Sequence, residues 1–404
     1  MIRFLYSAIF TLLSWFIPLV ALFNPKVNSG YQGRKKQKMP HLDRSPIWIH
    51  CASLGEFEQG RPVIESLKKQ WPDVPIVLTF FSSSGYEVRK QYNQVEWVGY
   101  LPFDLPGNAE RFISAIKPQL AIFVKYEYWF NHLLVLGKYK IPYLFISNVW
   151  RPQYFPLKWW APWFLNVIRK GSAFFVQDQI SFDILTARHF ERVFLVGDTR
   201  IDLVMELLKQ PKKSEQLAMW CNEAPVLIAG STWAEDEHLI YRFFSETPSI
   251  RLILAPHEPS KKRLEEVNTL FERFQPCLYS QWKGEAVTVL IVDSVGLLNS
   301  LYGYGSAAYI GGGFDKGIHN TLEAAVYGIP VFFGPKNKNF KEAQDLLSQD
   351  LAFEVHTSTD FIQRWPEVFP GQLPRIKEQL GSYFNQNQGA TAKIIDYLRG
   401  FIQA

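Results

Sequence analysis

Residues 47–60 read Ile47-Trp48-Ile49-His50-Cys51-Ala52-Ser53-Leu54-Gly55-Glu56-Phe57-Glu58-Gln59-Gly60. The apolar run Ile47 to Ile49 passes through small residues into a helical pattern that begins near Phe57. An apolar strand feeding a helix is the unit of a parallel sheet covered on both faces. The same unit recurs outward along the chain, with apolar runs at 76–81, 120–124, 143–146, 174–176 and 193–196 separated by turns and helical stretches. After a polar stretch at 206–223 containing Pro211, Lys212 and Lys213, the runs resume at 226–229, 251–255, 287–292, 307–310 and 331–333. Two Rossmann-like α/β domains are therefore expected, residues 44–205 and 224–404, joined by a linker at 206–223, with a last helix able to cross back. Ligands would bind in a cleft between them, beyond the carboxyl ends of the strands.

The 404 residues exceed what one core usually organises, and at 47% hydrophobic they supply enough apolar surface for two. Cys51, Cys221 and Cys277 are far apart and lack metal-ligand spacing, which fits a reducing compartment and no structural metal. A net charge of +5, dispersed and without a nucleic-acid motif, argues against nucleic acid and for a basic membrane face. Phe4 to Phe23 carries no charge and is long enough to cross a bilayer as a helix. No small-x-small cleavage pattern follows, so residues 1–24 read as an uncleaved anchor. Arg34, Lys35, Lys36 and Lys38 come next and place the remainder on the cytoplasmic side. The stretch from Arg151 to Lys170, with Trp150, Trp159, Trp160 and Trp163, suits either the headgroup level or a packed core.

Two segments carry the chemistry. Glu56 falls at the start of a helix, where backbone amides favour a carboxylate, and it suits a general base; a helix cap made by Ser53 and Glu56 is the structural alternative. Gly311-Gly312-Gly313-Phe314-Asp315-Lys316-Gly317-Ile318-His319-Asn320-Thr321-Leu322-Glu323 follows a strand and would expose amides to a phosphate, with a helix starting near His319. Glu323, one turn inside that helix, suits ribose hydroxyls, and Asn320 suits a cap or a phosphate contact. Gly230-Ser231-Thr232 and Pro256-His257-Glu258-Pro259 end two further strands of the same half.

Taken together these blocks resemble the Kdo (3-deoxy-D-manno-octulosonate) transferases along nearly the whole chain. Ser53 to Glu56 matches the family's S-x-G-E, and Tyr100-Leu101-Pro102-Phe103-Asp104-Leu105-Pro106 its Y-L-P-Y-D-L-P. Gly197-Asp198-Thr199-Arg200-Ile201-Asp202 is similar to G-N-x-K-F-D, and His319 to Glu323 to H-N-x-x-E. The resemblance implies a GT-B glycosyltransferase with CMP-Kdo as donor, a lipid A precursor as acceptor, inversion at the anomeric carbon, no metal or other cofactor, and work at the inner membrane surface. It implies catalytic roles for Glu56, Arg200, Glu127 and Lys125. Donor contacts would come from Ser231, Thr232, Pro256, His257, Gly296, Leu297, Leu298, Gly312, Gly313, Asn320, Thr321, Leu322 and Glu323. Acceptor contacts would come from Ser53, Gly55, Ser83, Ser84 and Arg151.

Three positions depart from the pattern. Lys125 replaces the first glutamate of E-T-E-L-W-P-N and leaves Glu127; His257 replaces the arginine of P-R-H-P; Val295-Gly296-Leu297-Leu298 lacks the acid of M-G-E-L. A GT-B enzyme with another nucleotide-sugar donor and a non-catalytic nucleotide-sugar-binding protein are the competing readings. Retention of Glu56 speaks against the second, since binding alone needs no base.

Overall fold

The computed structural model describes residues 2–209, 214–315 and 317–402; Pro211, Lys212 and Lys213 of the expected linker and Lys316 lie outside the described residues. The chain divides into two compact units, residues 1–202 with 387–404, and residues 203–386. The division falls inside the helix Thr199–Lys209, a few residues before the stretch expected to be the linker.

The first unit is built on seven parallel strands, β1 (Ile47–Cys51), β2 (Ile76–Phe80), β3 (Trp97–Tyr100), β4 (Leu120–Val124), β5 (Tyr143–Asn148), β6 (Ala173–Val176) and β7 (Val193–Leu195). Their order is β3-β2-β1-β4-β5-β6-β7. β1, β2, β4 and β5 are buried throughout, which is why they are written as unbroken apolar runs. The chain lays down β2 and β3 on one side of β1, then returns to place β4 on the other. The strand order therefore reverses between β1 and β4, and a crevice opens there beyond the strand ends.

The last helix, Ala390–Leu398, belongs to this unit and packs its Ile394 and Leu398 into the core beneath α3 (Leu54–Gln70). Asp202 fastens it by accepting hydrogen bonds from the N–H groups of Gly389 and Thr391, both at 2.6 Å.

The second unit repeats the plan with β8 (Val226–Thr232), β9 (Arg251–Pro256), β10 (Cys277–Leu278), β11 (Val289–Ile291), β12 (Ala307–Ile310), β13 (Val331–Phe333) and β14 (Ala352–Glu354). Here the order is β10-β11-β9-β8-β12-β13-β14, with the reversal between β8 and β12. Each unit is a doubly wound α/β sheet of the GT-B class.

At the amino end, α1 (Ile2–Phe23) is followed by α2 (Pro25–Lys36), whose first turn is capped by Asn24. Most of the apolar surface of α1 is exposed, as a membrane helix requires. Its length fits a span, but both ends are held on the same unit. Tyr6 donates to Asp104 at 2.8 Å and packs on Phe130, while the carbonyl of Lys26, just beyond the far end, accepts from Ser83 Oγ at 3.1 Å.

Arg34 differs from its expected place in a basic lipid-facing run. Its guanidinium donates to the carbonyls of Leu101 and Phe81 and lies over the rings of Phe81, Tyr100 and Phe103. Burial pulls its pKa down to about 10, so it is still a cation at neutral pH. Lys35, Lys36 and Lys38 remain exposed. The tryptophans divide as well: Trp150 is core, whereas Trp159 and Trp160 are 88% and 50% exposed.

Candidate active site

In the first unit the expected catalytic residues gather at the strand-order reversal. Glu56 sits in the first turn of α3, immediately after β1, and is 8% exposed. Ser53, expected among the acceptor contacts, stands at the N-cap position of α3 but makes no side-chain cap bond; it donates its hydroxyl to the Glu56 carboxylate. A Cβ at Gly55 would meet Ser53 Oγ at 3.7 Å, an ordinary contact. From the end of β4, Lys125 brings Nζ to 3.6 Å from Glu56 Oε1. Lys125 has a positive φ of 64°, a region costly for a residue with a Cβ, and Asn148 holds the turn by donating to its carbonyl.

Glu127 lies 3.6 Å from His50 Nε2, which is too long for a hydrogen bond; that nitrogen accepts from Trp129 Nε1 at 2.9 Å. Burial lowers the pKa of His50 despite the nearby carboxylate, so the ring is neutral and its Nδ1–H donates to Thr79. Burial, with the charges of Glu56 and Glu127 adding to it, pushes the Tyr126 hydroxyl up to about 12.

Arg200 clasps Asp198 through two nitrogens, at 3.0 and 2.6 Å. Burial alone would raise the Asp198 carboxyl; Arg200, aided by Lys125, outweighs it and holds the group below its ordinary value. Glu56, Lys125, Asp198 and Arg200 thus share one electrostatic neighbourhood of alternating sign. The expected acceptor residues are more dispersed. Ser83 is bonded to Lys26 and Ser84 to Ser82, while Arg151 is paired with Asp178 at 2.8 Å.

In the second unit the glycine-rich segment leaves β12 beside the end of β8, where Ser231 has a positive φ of 54° at a register shift. A Cβ on Gly311 would run into the Ser231 carbonyl and lie 2.6 Å from Thr232 Cα, and one on Gly313 would lie 2.5 Å from the Gly334 nitrogen. These glycines let three strand-end turns touch backbone to backbone. The Gly312 N–H, expected to face a phosphate, donates to Asp236 at 2.8 Å. The Thr232 hydroxyl is likewise used, by Glu237 at 2.9 Å.

The helix expected near His319 is the single turn Leu322–Ala325, so Glu323 is its second residue. Asn320 turns the chain into it, accepting from Leu322 N–H and donating to Glu323 at 3.0 Å. Thr321 is fully buried. His257 and His319 stack at 4.3 Å, with Trp233 against His257 at 4.9 Å. Pro256 ends β9, and Gly296 (φ 90°) and Leu297 form the turn before the short helix opened by Leu298. Among the described residues no His, Cys, Asp or Glu group is gathered for a metal ion.

A family model described as 3-deoxy-D-manno-octulosonic-acid transferase (kdotransferase) matches residues 27–203. The 3-deoxy-D-manno-octulosonic acid transferase of Haemophilus influenzae is 27% identical across 99% of both chains, and that of Aquifex aeolicus 26% identical across 80% of this chain and 86% of its own. Over residues 27–203, and more weakly along its whole length, the chain is similar to the Kdo transferases. In fold it is also similar to a UDP-GlcNAc 2-epimerase from Neisseria meningitidis, with a TM-score of 0.61 at 14% identity over 88% of this chain and all of the other.

The blocks that resemble those of Kdo transferases prove to have unequal duties. In Y-L-P-F-D-L-P, Asp104 accepts from the N–H groups of Asn131 and His132 and from Tyr6, so the block docks α1 and the helix Phe130–Lys138. Asp202 of the G-D-T-R-I-D block fastens the last helix. Sequence reading missed Asp236, which accepts from Gly312, Trp233 and Tyr309 and ties the glycine-rich turn to the helix Ala234–Glu246. Its one signal was position, three residues after Trp233 at a helix start.

Proposed function

We propose that this protein transfers Kdo from CMP-Kdo to a lipid A precursor, with inversion, at the cytoplasmic face of the inner membrane. One observation carries the reading: Glu56 stands at the strand-order reversal, ready to accept a proton, with Lys125 at 3.6 Å and Ser53 orienting it. As the acceptor hydroxyl attacks the anomeric carbon, its proton passes to Glu56; the new glycosidic bond forms and the bond to the CMP phosphate breaks. Arg200 lends positive charge against the phosphate oxygens, a task its planar guanidinium suits. The second unit binds the donor, with Asn320 and Glu323 on the ribose and phosphate and the Trp233-His257-His319 stack beside them. Lys125 and His257 make this a departure from the usual family pattern, so their contribution is specific to this chain.

The acceptor's acyl chains keep it in the bilayer, and α1 keeps the enzyme beside it. Because both ends of α1 are fastened to one unit, it lies in the plane of the leaflet as an interfacial helix. Lys35, Lys36 and Lys38 add attraction to anionic lipid. Incubation of the purified protein with CMP-Kdo and lipid A precursor, followed by product mass, tests the reading: one or more Kdo increments support it. Transfer from a UDP-sugar and none from CMP-Kdo would overturn it.

A further inference from the structure

We infer that the first unit carries a pocket for one acyl chain of a membrane glycolipid, formed where α1 crosses the aromatic loops beside Glu127. The inference rests on the proposed reading of the acceptor as a lipid and names the part of it that this pocket takes.

A cavity of about 740 Å³ is walled on one side by Tyr6, Ile9 and Phe10 of α1 and on the other by Trp129, Trp163 and Phe164. That size lies within the range of ordinary small-ligand sites. Three of the polar tips in its aromatic walls are used elsewhere: Tyr6 on Asp104, Tyr128 on Asn148 and Trp129 on His50. The interior is therefore largely apolar, and among the described residues Glu127 is the one charged side chain in its wall. A sugar would find few hydrogen-bond partners there, whereas a hydrocarbon chain needs none.

The mouth of the pocket is continuous with lipid-seeking surface. Ile9 is half exposed, and beyond it Leu12, Leu13, Phe16 and Leu19 expose the apolar side of α1. Trp160, on the opposite lip, is also half exposed. A chain can thus pass from bilayer to pocket without meeting water. The transfer is close to neutral, while leaving the same chain in water costs about fourfold in affinity per methylene. The polar end matters equally. Glu127 is two residues from Lys125, which faces Glu56, so a chain seated in the pocket holds its headgroup at the proposed base.

The test uses the full chain in detergent or lipid nanodiscs, with a diazirine-bearing fourteen-carbon fatty acid as photolabel. Labelled peptides should come from residues 6–10, 126–129 and 155–164. Acylated acceptor should reduce the label at least fivefold, and its fully deacylated counterpart should not. Ile9→Trp, which fills the mouth from a half-exposed position, should reduce pocket labelling at least fivefold with an unchanged melting temperature. It should raise KM for acylated acceptor more than it lowers kcat, and should leave transfer to the deacylated disaccharide unaltered. Label spread along residues 12–23 and indifferent to Ile9→Trp would overturn the pocket and leave only a lipid annulus. An α1 from a second copy filling the site, seen as labelling that appears only on dilution to monomers, would overturn it too. Pocket-specific labelling without any Kdo transfer would support the pocket and sink the Kdo reading, so the two fail separately.

Discussion

Lys125 Nζ lies 3.6 Å from Glu56 Oε1, and the same lysine contributes to holding Asp198 ionised. A cation stands where the family pattern has an acid, between the proposed base and the Asp198–Arg200 pair. With Lys125 replaced by methionine, Glu56 keeps only its Ser53 contact, and turnover should fall about tenfold, the size of one lost charge contact. Steady-state kinetics with CMP-Kdo checks this; an unaltered kcat would show Lys125 to be a bystander.

Glu56→Gln removes the proton acceptor and leaves the second unit untouched. The rate should fall by a factor of about 10² to 10⁴, the usual contribution of a general base. Affinity for CMP, read by calorimetry, should stay within about twofold of the parent. Turnover near that of the parent would exclude the role given to this carboxylate.

Arg200→Met should change how the fold responds to acid. In the parent, burial raises the Asp198 carboxyl and Arg200 more than reverses it, so the folded value is below the unfolded one. Such a group contributes stability above its unfolded pKa, and that stability is lost as pH falls through the lower folded value. Without the guanidinium the burial effect is opposed only by the residue 200 backbone N–H and Lys125, and the folded value should rise. The acid unfolding midpoint should then move to higher pH, and loss of the partner of a largely buried charge should cost about 3–5 kcal/mol at neutral pH. Thermal melts from pH 3 to 7 decide it; coincident acid limbs in the two proteins would count against the account.

Eleven of the strands are legible as apolar runs, most because their neighbours cover both faces and β7, a partly exposed edge, because all three of its residues are apolar; β3, β10 and β14 are not. Each of the three lies at a sheet edge. β3 is interrupted by Gly99 and half-buried at Trp97, and β10 is two residues long. Short, partly exposed edges give periodicity nothing to register. The turns that carry Glu56 and Glu323 were legible because each leads from a strand into a helix within a short stretch of sequence. Asp236 was not, since its partners Tyr309 and Gly312 are far along the chain and only the adjacency of β8 and β12 brings them to it. Arg34 misled for a related reason: a basic run looks solvated until a tertiary cage of Phe81, Tyr100 and Phe103 encloses one member.

Gly311→Ala should unfold or loosen the second unit rather than alter chemistry. The added methyl would meet the backbone of Ser231 and Thr232, which cannot rotate away as a side chain would. Overpacking of that kind costs about 1–3 kcal/mol or more. The variant should show a lower melting temperature together with weaker CMP binding. A stable protein with parental CMP affinity would mean that the two turns separate more easily than their contact suggests.

The remaining prediction concerns the placement of α1. A helix that spans the membrane must put Ile2 and Phe23 on opposite faces, about 30 Å apart. In this structure Tyr6 is bonded to Asp104, and Lys26 to Ser83, within one unit. An epitope tag ahead of Met1 should accordingly be cleaved by added protease in inside-out vesicles and protected in right-side-out spheroplasts, matching a tag placed after Ala404. Deleting residues 2–24 should uncover Phe130, Trp163 and Phe164 and lower the melting temperature, while the second unit still binds CMP. Release from membranes should be incomplete at low salt and fuller at high salt, because Lys35, Lys36 and Lys38 act through screened attraction and Trp159 and Trp160 do not. Cleavage of the amino-terminal tag only in spheroplasts would show that α1 crosses the bilayer. The contacts of Tyr6 would then have to break in the membrane, and the acyl pocket they frame would lose its α1 wall.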